Sequence, residues 1–208
     1  GESHHYFVDL AANAAVHLSN TLYLEQHGWN GLCIEGNPMY WYGLSAFRTC
    51  TIIGAFIGGK EDGKQVGVRL SNKAFGGIVG ESLDNKNSEE AKRNLVSIST
   101  VFVEANVPTV IDYFSLDVEG AEMLVMENFP FEKYKVRFMT VERPRPDLVA
   151  LMTKHGYKRN PKDFVRWGES LWFHPDFVSM TGEDIDAVSD LKVPAKVWPV
   201  RSPSKKTR

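Results

Sequence analysis

Tyr6-Phe7-Val8-Asp9-Leu10 and Gly31-Leu32-Cys33-Ile34-Glu35 are short apolar runs, each with an acid at or near its end. Runs of this length and composition read as buried strands. Between them, residues 13–27 place Ala15, Leu18 and Leu22 on one helical face, and Gly28 supplies a C′ stop. Asn37-Pro38 then gives an N-cap and a proline at N1 for a short aromatic helix over 39–47. Residues 51–57 form a third apolar strand. Strand, helix, strand, helix, strand is the rhythm of parallel strands joined by right-handed crossovers. It predicts half of a doubly wound sheet.

Further along the chain the rhythm resumes. Residues 110–117 read as a strong strand, 121–128 as a helix and 136–142 as the next strand. A helix begins at Pro146 or Asp147 and ends at Gly156, and an antiparallel pair follows over 157–159 and 170–174. The expected fold is therefore α/β: a doubly wound, Rossmann-like sheet, mostly parallel with its last strand antiparallel and helices on both faces. Residues 58–98 break the pattern and read as an irregular insertion with a small hairpin around Val66-Gly67-Val68-Arg69-Leu70. Ser99 is the expected cap of a helix ending near Asn106. One domain over 1–191 and a basic tail over 192–208 complete the organisation.

With 208 residues, 43% of them hydrophobic and 24% charged, the chain has the make-up of one ordinary globular domain. That excludes a disordered chain, a collagen and a coiled coil. No apolar run approaches the roughly 18 residues of a membrane span. A balance of 24 basic against 26 acidic residues excludes a basic coat for nucleic acid. Cys33 and Cys50 cannot make a disulfide framework or a four-ligand zinc site, and buried free thiols in adjacent strands are expected. The sequence has no starting Met or signal peptide, so a start inside a longer protein is expected and the cellular location stays open.

In an open parallel sheet, ligands bind beyond the carboxyl ends of the strands, near the switch in strand order. Four strand ends here carry carboxylates: Asp9, Glu35, Asp117 with Glu119, and Glu142. An acid at one strand end commonly caps the next helix, but four in crevice order point to a site. Glu35 follows Asp9 at nearly the spacing of an acid that accepts from a ribose diol. The turn Ala11-Ala12-Asn13-Ala14-Ala15 lacks the glycines that a pyrophosphate needs. A cofactor with ribose but no pyrophosphate fits better, and S-adenosylmethionine is the obvious one.

Phe7-Val8-Asp9-Leu10-Ala11-Ala12-Asn13, Leu18-Ser19-Asn20-Thr21 and Gly28-Trp29-Asn30-Gly31-Leu32-Cys33-Ile34-Glu35-Gly36-Asn37-Pro38 resemble the FkbM-type methyltransferases. So do Ile111-Asp112-Tyr113-Phe114-Ser115-Leu116-Asp117-Val118-Glu119-Gly120-Ala121-Glu122 and Val141-Glu142-Arg143-Pro144. The resemblance covers about residues 6–174 and is most specific around Asp117. It implies a class I methyltransferase sheet of seven strands, and methyl transfer from S-adenosylmethionine, usually to a hydroxyl oxygen. The family usually has glycine where Ala11 and Ala15 stand, often an acid where Ala14 stands, and proline where Gly36 stands. Both Ala11 and Ala15 are expected at negative φ, with Ala15 in the first helical turn.

On this reading Asp9, Ala11, Asn13, Ser19, Asn20, Glu35, Gly36, Asn37 and Asp117 bind the cofactor. Glu119 or Glu142 is the base, and Asp117 orients the methionine amino group or the acceptor. The acids could instead hold Mg²⁺ or Ca²⁺, but no metal is expected. His174 is the reserve base, and Asp84-Asn85 the expected lid. The acceptor is a small molecule or glycan. Residues 133–166 hold ten Lys and Arg against three acids, Arg143, Arg145, Lys158, Arg159 and Lys162 among the bases, which favours an anionic one. Two rivals stand beside this reading: a binding module that keeps the fold without turnover, and a nucleic-acid methyltransferase. No aromatic platform for single strands supports the second. The oligomeric state is left open.

Overall fold

A computed structural model describes residues 5–71, 75–81, 83–86, 90–160 and 168–177. The proposed tail over 192–208 and Lys162 lie outside them. Strand β1 (Tyr6–Leu10) leads through a long loop to α1 (Leu22–Gln26) and β2 (Asn30–Ile34). A 3-10 turn (Pro38–Tyr40) runs into α2 (Trp41–Phe47), followed by β3 (Thr51–Ile53) and β4 (Phe56–Ile57). Strands β5 (Gln65–Arg69), β6 (Gly77–Ile78) and β7 (Ala91–Val96) precede α3 (Ile98–Glu104) and β8 (Val110–Leu116). The chain then gives α4 (Glu122–Met126), β9 (Lys135–Glu142), α5 (Pro146–Lys154), β10 (Lys158–Arg159) and β11 (Glu169–Phe173).

Seven strands form the main sheet in the order β10-β11-β9-β8-β1-β2-β3. β1 lies between β2 and β8 and is parallel to both, and β8 is parallel to β9. β11 runs antiparallel to β9 and β10, as expected. The strand order reverses between β1 and β8, so a crevice opens beyond their carboxyl ends. Alternation along each strand splits the core. Val8, Leu10, Phe114, Leu116, Met139 and Val141 pack with Phe102 of α3, Met126 of α4 and Met152 of α5. Phe7 and Cys33 point the other way and meet Leu44 of α2. Helices thus cover both faces.

Six expectations need correction. The helix over 13–27 shrinks to α1, and Ala15 is not helical, because Ala11, Asn13 and Leu18 all adopt positive φ (64°, 55° and 61°). Those values lie outside the helical region. Ala11 therefore overturns the expected negative φ. The strand over 51–57 divides at Gly54: β3 joins the main sheet, and β4 joins a second sheet, β4-β7-β5-β6. A Cβ at Gly54 would stand 2.5 Å from the Trp41 indole, so the chain bends there against the ring.

That second sheet replaces the small hairpin expected over 58–98. Its strand β7 exposes Lys92, Arg93 and Asn94 in succession, so no apolar run marks it in the sequence. The cap of α3 is Ser97, not Ser99: its Oγ accepts from the Thr100 amide at 3.1 Å. Finally, Cys33 and Cys50 are not free thiols. They form a disulfide with Cα atoms 6.1 Å apart, which ties β2 to the residue just before β3.

Candidate active site

The crevice is roofed by the second sheet. Leu10 and Ile34 from the main sheet face Leu70 and Ile78 from the roof, and Phe56 closes one side. The sequence-expected residues Ala11, Asn13, Glu35, Gly36, Asn37, Asp117 and Glu119 all border this cleft. Gly36 has a local reason: a Cβ there would meet the Phe56 ring at 2.7 Å. Asp9, Ser19 and Asn20 do not border it. Asp9 is buried and accepts from Thr21 Oγ1 at 2.5 Å. Ser19 Oγ accepts from the Leu22 amide, and Asn20 Nδ2 donates to Ser115 Oγ at 3.0 Å. These three support the loop that forms the cleft wall.

Glu35 is fixed without a ligand. Its Oε2 accepts from the Asn13 amide at 2.7 Å and its Oε1 from the Asn37 amide at 2.6 Å. A carboxylate offers about four lone-pair sites, so each oxygen keeps acceptor capacity toward the cleft. Burial pushes its pKa up, and the two amides oppose that. Trp41, at the start of α2, donates from its indole to the Glu35 carbonyl at 2.8 Å. Of the other aromatic residues in this segment, Tyr40 borders the cleft, while Tyr42 is exposed.

Across the crevice the acids crowd. One carboxylate oxygen each from Asp117, Glu119 and Glu142 lie within 4.8 Å of one another, a spacing that a hard cation could bridge. Burial and a proton-sharing contact with Glu142 push Asp117 up to about 8. Its Oδ1 is buried and has no hydrogen-bond partner. Burial and the Glu142 charge push Glu119 up to about 7. Glu119 itself sits at φ 54°, on a turn held by Glu122, whose Oε1 accepts from the Val118 and Gly120 amides.

Arg143 spans the outer side of the cluster. Its Nη2 lies 2.8 Å from Glu142, 3.0 Å from Asp84 and 3.3 Å from Glu119. The Asp84 amide donates to the Glu119 carbonyl at 3.2 Å, so the expected lid residue joins roof to floor. A second, open cavity lies outside this clasp, and Glu119 borders both spaces. The expected basic patch does not converge. Arg143 and Arg145 face Asp84, whereas Lys158 and Arg159 lie in the outermost strand, level with the middle of β9.

His174 is not near the cluster. Because β11 is antiparallel, Glu169 pairs with Glu142 at the carboxyl edge and Phe173 pairs with Phe138, leading His174 away. His174 is buried beside Tyr157 and Phe177. The same reversal brings in Glu169, which the sequence reading missed. It hydrogen-bonds Asn20 and feels the Glu142 charge. An acid at the start of a strand carries no such signal, because in parallel strands the crevice lies beyond the carboxyl ends, and only an antiparallel strand brings its start there.

The family model for the methyltransferase FkbM domain matches residues 9–159. The chain belongs to that family. FkbM-family membership makes it an S-adenosylmethionine-dependent methyltransferase, and the cleft fits such a cofactor. Glu35 has acceptor capacity facing a partly apolar slot, and Asp117 Oδ1 lacks a donor at the slot's far end. Among solved structures, a precorrin-6y C5,15-methyltransferase from Geobacter metallireducens is 10% identical, with a TM-score of 0.39, over 82% of this chain and 78% of its own. No curated protein matches the sequence. Among the described residues, no helix is long and apolar enough to cross a membrane.

Proposed function

We propose that this FkbM-family enzyme methylates a hydroxyl oxygen of a small or carbohydrate-like acceptor, with Glu119 as the base. The observation that carries this is the place of Glu119, on the border of the cofactor cleft and the outer cavity. A base there touches the acceptor side while facing the transferable group. Its pKa of about 7 suits proton uptake near neutrality.

S-adenosylmethionine, when bound, supplies a methyl carbon made electrophilic by the adjacent sulfonium. Glu35 accepts from the ribose hydroxyls, with Asn13, Gly36 and Asn37 shaping that end. Asp117 accepts from the methionine ammonium. Glu119 would take the hydroxyl proton as the acceptor oxygen bonds the methyl carbon and the carbon–sulfur bond breaks to leave S-adenosylhomocysteine, with Arg143 holding Glu119 in place and the Glu142 charge keeping it basic. Alignment supplies much of the rate. The disulfide supports residence in an oxidising compartment.

The test is release of S-adenosylhomocysteine with panels of sugars, small alcohols and amines. Turnover confined to hydroxylated acceptors is expected, and Glu119→Gln should lower it 10²–10⁴-fold with cofactor affinity within threefold of wild type. Turnover on amines alone would overturn the oxygen assignment. Normal turnover by Glu119→Gln would move the base to Glu142.

A further inference from the structure

Arg48 is the one buried lysine or arginine among the described residues. Its side chain is 0% exposed, and it lies at the C-terminus of α2, well outside the cleft. Three of its nitrogens are spent on one segment of chain. Nη1 donates to Ser19 Oγ at 3.0 Å, Nη2 to Thr21 Oγ1 at 2.8 Å, and Nε to Glu25 Oε2 at 3.0 Å. Thr21 Oγ1 donates onward to Asp9 at 2.5 Å. Asp9 is two residues before Ala11. Arg48 therefore fixes the far end of the loop over 11–20 and, through Thr21, reaches the strand that starts it.

That loop needs such a hold. It contains the three left-handed residues Ala11, Asn13 and Leu18. Ala11 and Leu18 each cost about 1–2 kcal/mol there, and Asn13 less, so the turn persists only where the surroundings over-determine it. At the cleft end, the Ala11 and Ala12 amides donate to the Ile34 carbonyl at 3.0 Å and the Asn13 amide to Glu35, which leaves residues 14–18 to be held from the Arg48 end. Arg48 is itself anchored. Glu25 accepts from the Thr49 and Cys50 amides, and Cys50 is bonded to Cys33, two residues before Glu35. The far end of the cofactor wall is thus fixed through one guanidinium, and the near end through β2.

We infer that Arg48 is a positioning residue for the cofactor: it touches nothing in the cleft, yet holds the loop over 11–20 in the shape that receives S-adenosylmethionine. A planar fork presents a separate nitrogen to each of Ser19, Thr21 and Glu25, which the single nitrogen of an ammonium does not.

Calorimetric titration with S-adenosylhomocysteine tests this, beside thermal melting and amide hydrogen exchange. Arg48→Lys keeps a charge beside Glu25 but loses the fork. It should bind at least tenfold more weakly, and the Asn13 amide should lose protection while β8 and β9 keep theirs. Ala11→Gly, which relieves one strained residue, should recover part of the affinity in the Arg48→Lys background. A merely structural role predicts a lower melting temperature with affinity within twofold and no recovery, and that result overturns the inference.

If Arg48→Lys does not fold, Ser19→Ala removes one arm only and should weaken binding about three- to tenfold. Unchanged affinity there is equally fatal. The inference rests on cofactor use alone. Wild-type protein that fails to bind S-adenosylhomocysteine would defeat the cofactor reading, whereas tight wild-type binding with unaltered variants defeats only the role of Arg48.

Discussion

The two halves of the crevice solve opposite problems. On the β1–β2 side one carboxylate, Glu35, has each of its oxygens met by a backbone amide, and a buried network behind it holds the loop. On the β8–β9 side three carboxylates converge, one oxygen is left without a partner, and two of the groups are pushed toward neutrality. The first half is complete without a ligand and is built for recognition. The second holds like charges together and is relieved only by protons or a cation. Settled geometry suits an invariant cofactor, and poised acids suit chemistry on a variable acceptor.

The contrast breaks most severely if the disulfide goes. It closes a separation of 17 residues, for which chain entropy gives about 3 kcal/mol of stability. The Cys33→Ala/Cys50→Ala double variant should lose about that much in denaturant unfolding. An unchanged midpoint would show that packing alone holds the β2 side together.

Glu35→Ala should weaken S-adenosylhomocysteine binding at least tenfold. Because the Asn13 and Asn37 amides lose their acceptor, the free protein should also melt lower, each orphaned amide costing about 1–3 kcal/mol. A binding loss without any melting shift would mean that water substitutes at both amides.

The acid half makes a pH prediction. The folded pKa of Asp117, about 8, lies above its ordinary unfolded value near 4. The folded state therefore binds more protons between those values, and this contribution to stability falls as pH rises from about 4 to about 8. Asp117→Asn should remove that slope, so that its stability relative to wild type grows from pH 5 to pH 8. Cofactor affinity of the wild type should rise over the same interval, since the ionised acid pairs with the methionine ammonium. A flat stability difference across the interval would refute the crowding.

The smallest effect belongs to Ala11→Gly. Relief of a left-handed alanine is offset by added unfolded-state freedom, about 0.4–1 kcal/mol. A net gain of up to about 1 kcal/mol is expected in thermal melting. A loss would show that the turn is held at no cost.

The sequence alone determined the main sheet. β1 and β2 are short, mostly apolar runs, as strands buried on both faces must be, β8 and β9 keep enough Val, Ile, Phe and Met between their polar residues to read as strands, and the terminal acids fall in the crevice because topology puts strand ends there. Composition and spacing likewise reached Glu35, Asp117, Glu119 and Glu142. Periodicity placed α5 and the antiparallel end, since both carry strong local signals. Only the tertiary structure decided the rest. The loop over 11–20 has helical periodicity, yet Asn13 gives its amide to Glu35 and Arg48 claims Ser19 and Thr21, and no local propensity reports such distant partners. The polar strand β7 pairs with β5 through backbone groups, which every sequence possesses. Cys33 and Cys50 met only once β2 and β3 lay side by side, and Glu169 reached Glu142 only through reversal of β11. In each case the deciding contact joins residues far apart in the chain, whose energies exist only after the fold has formed.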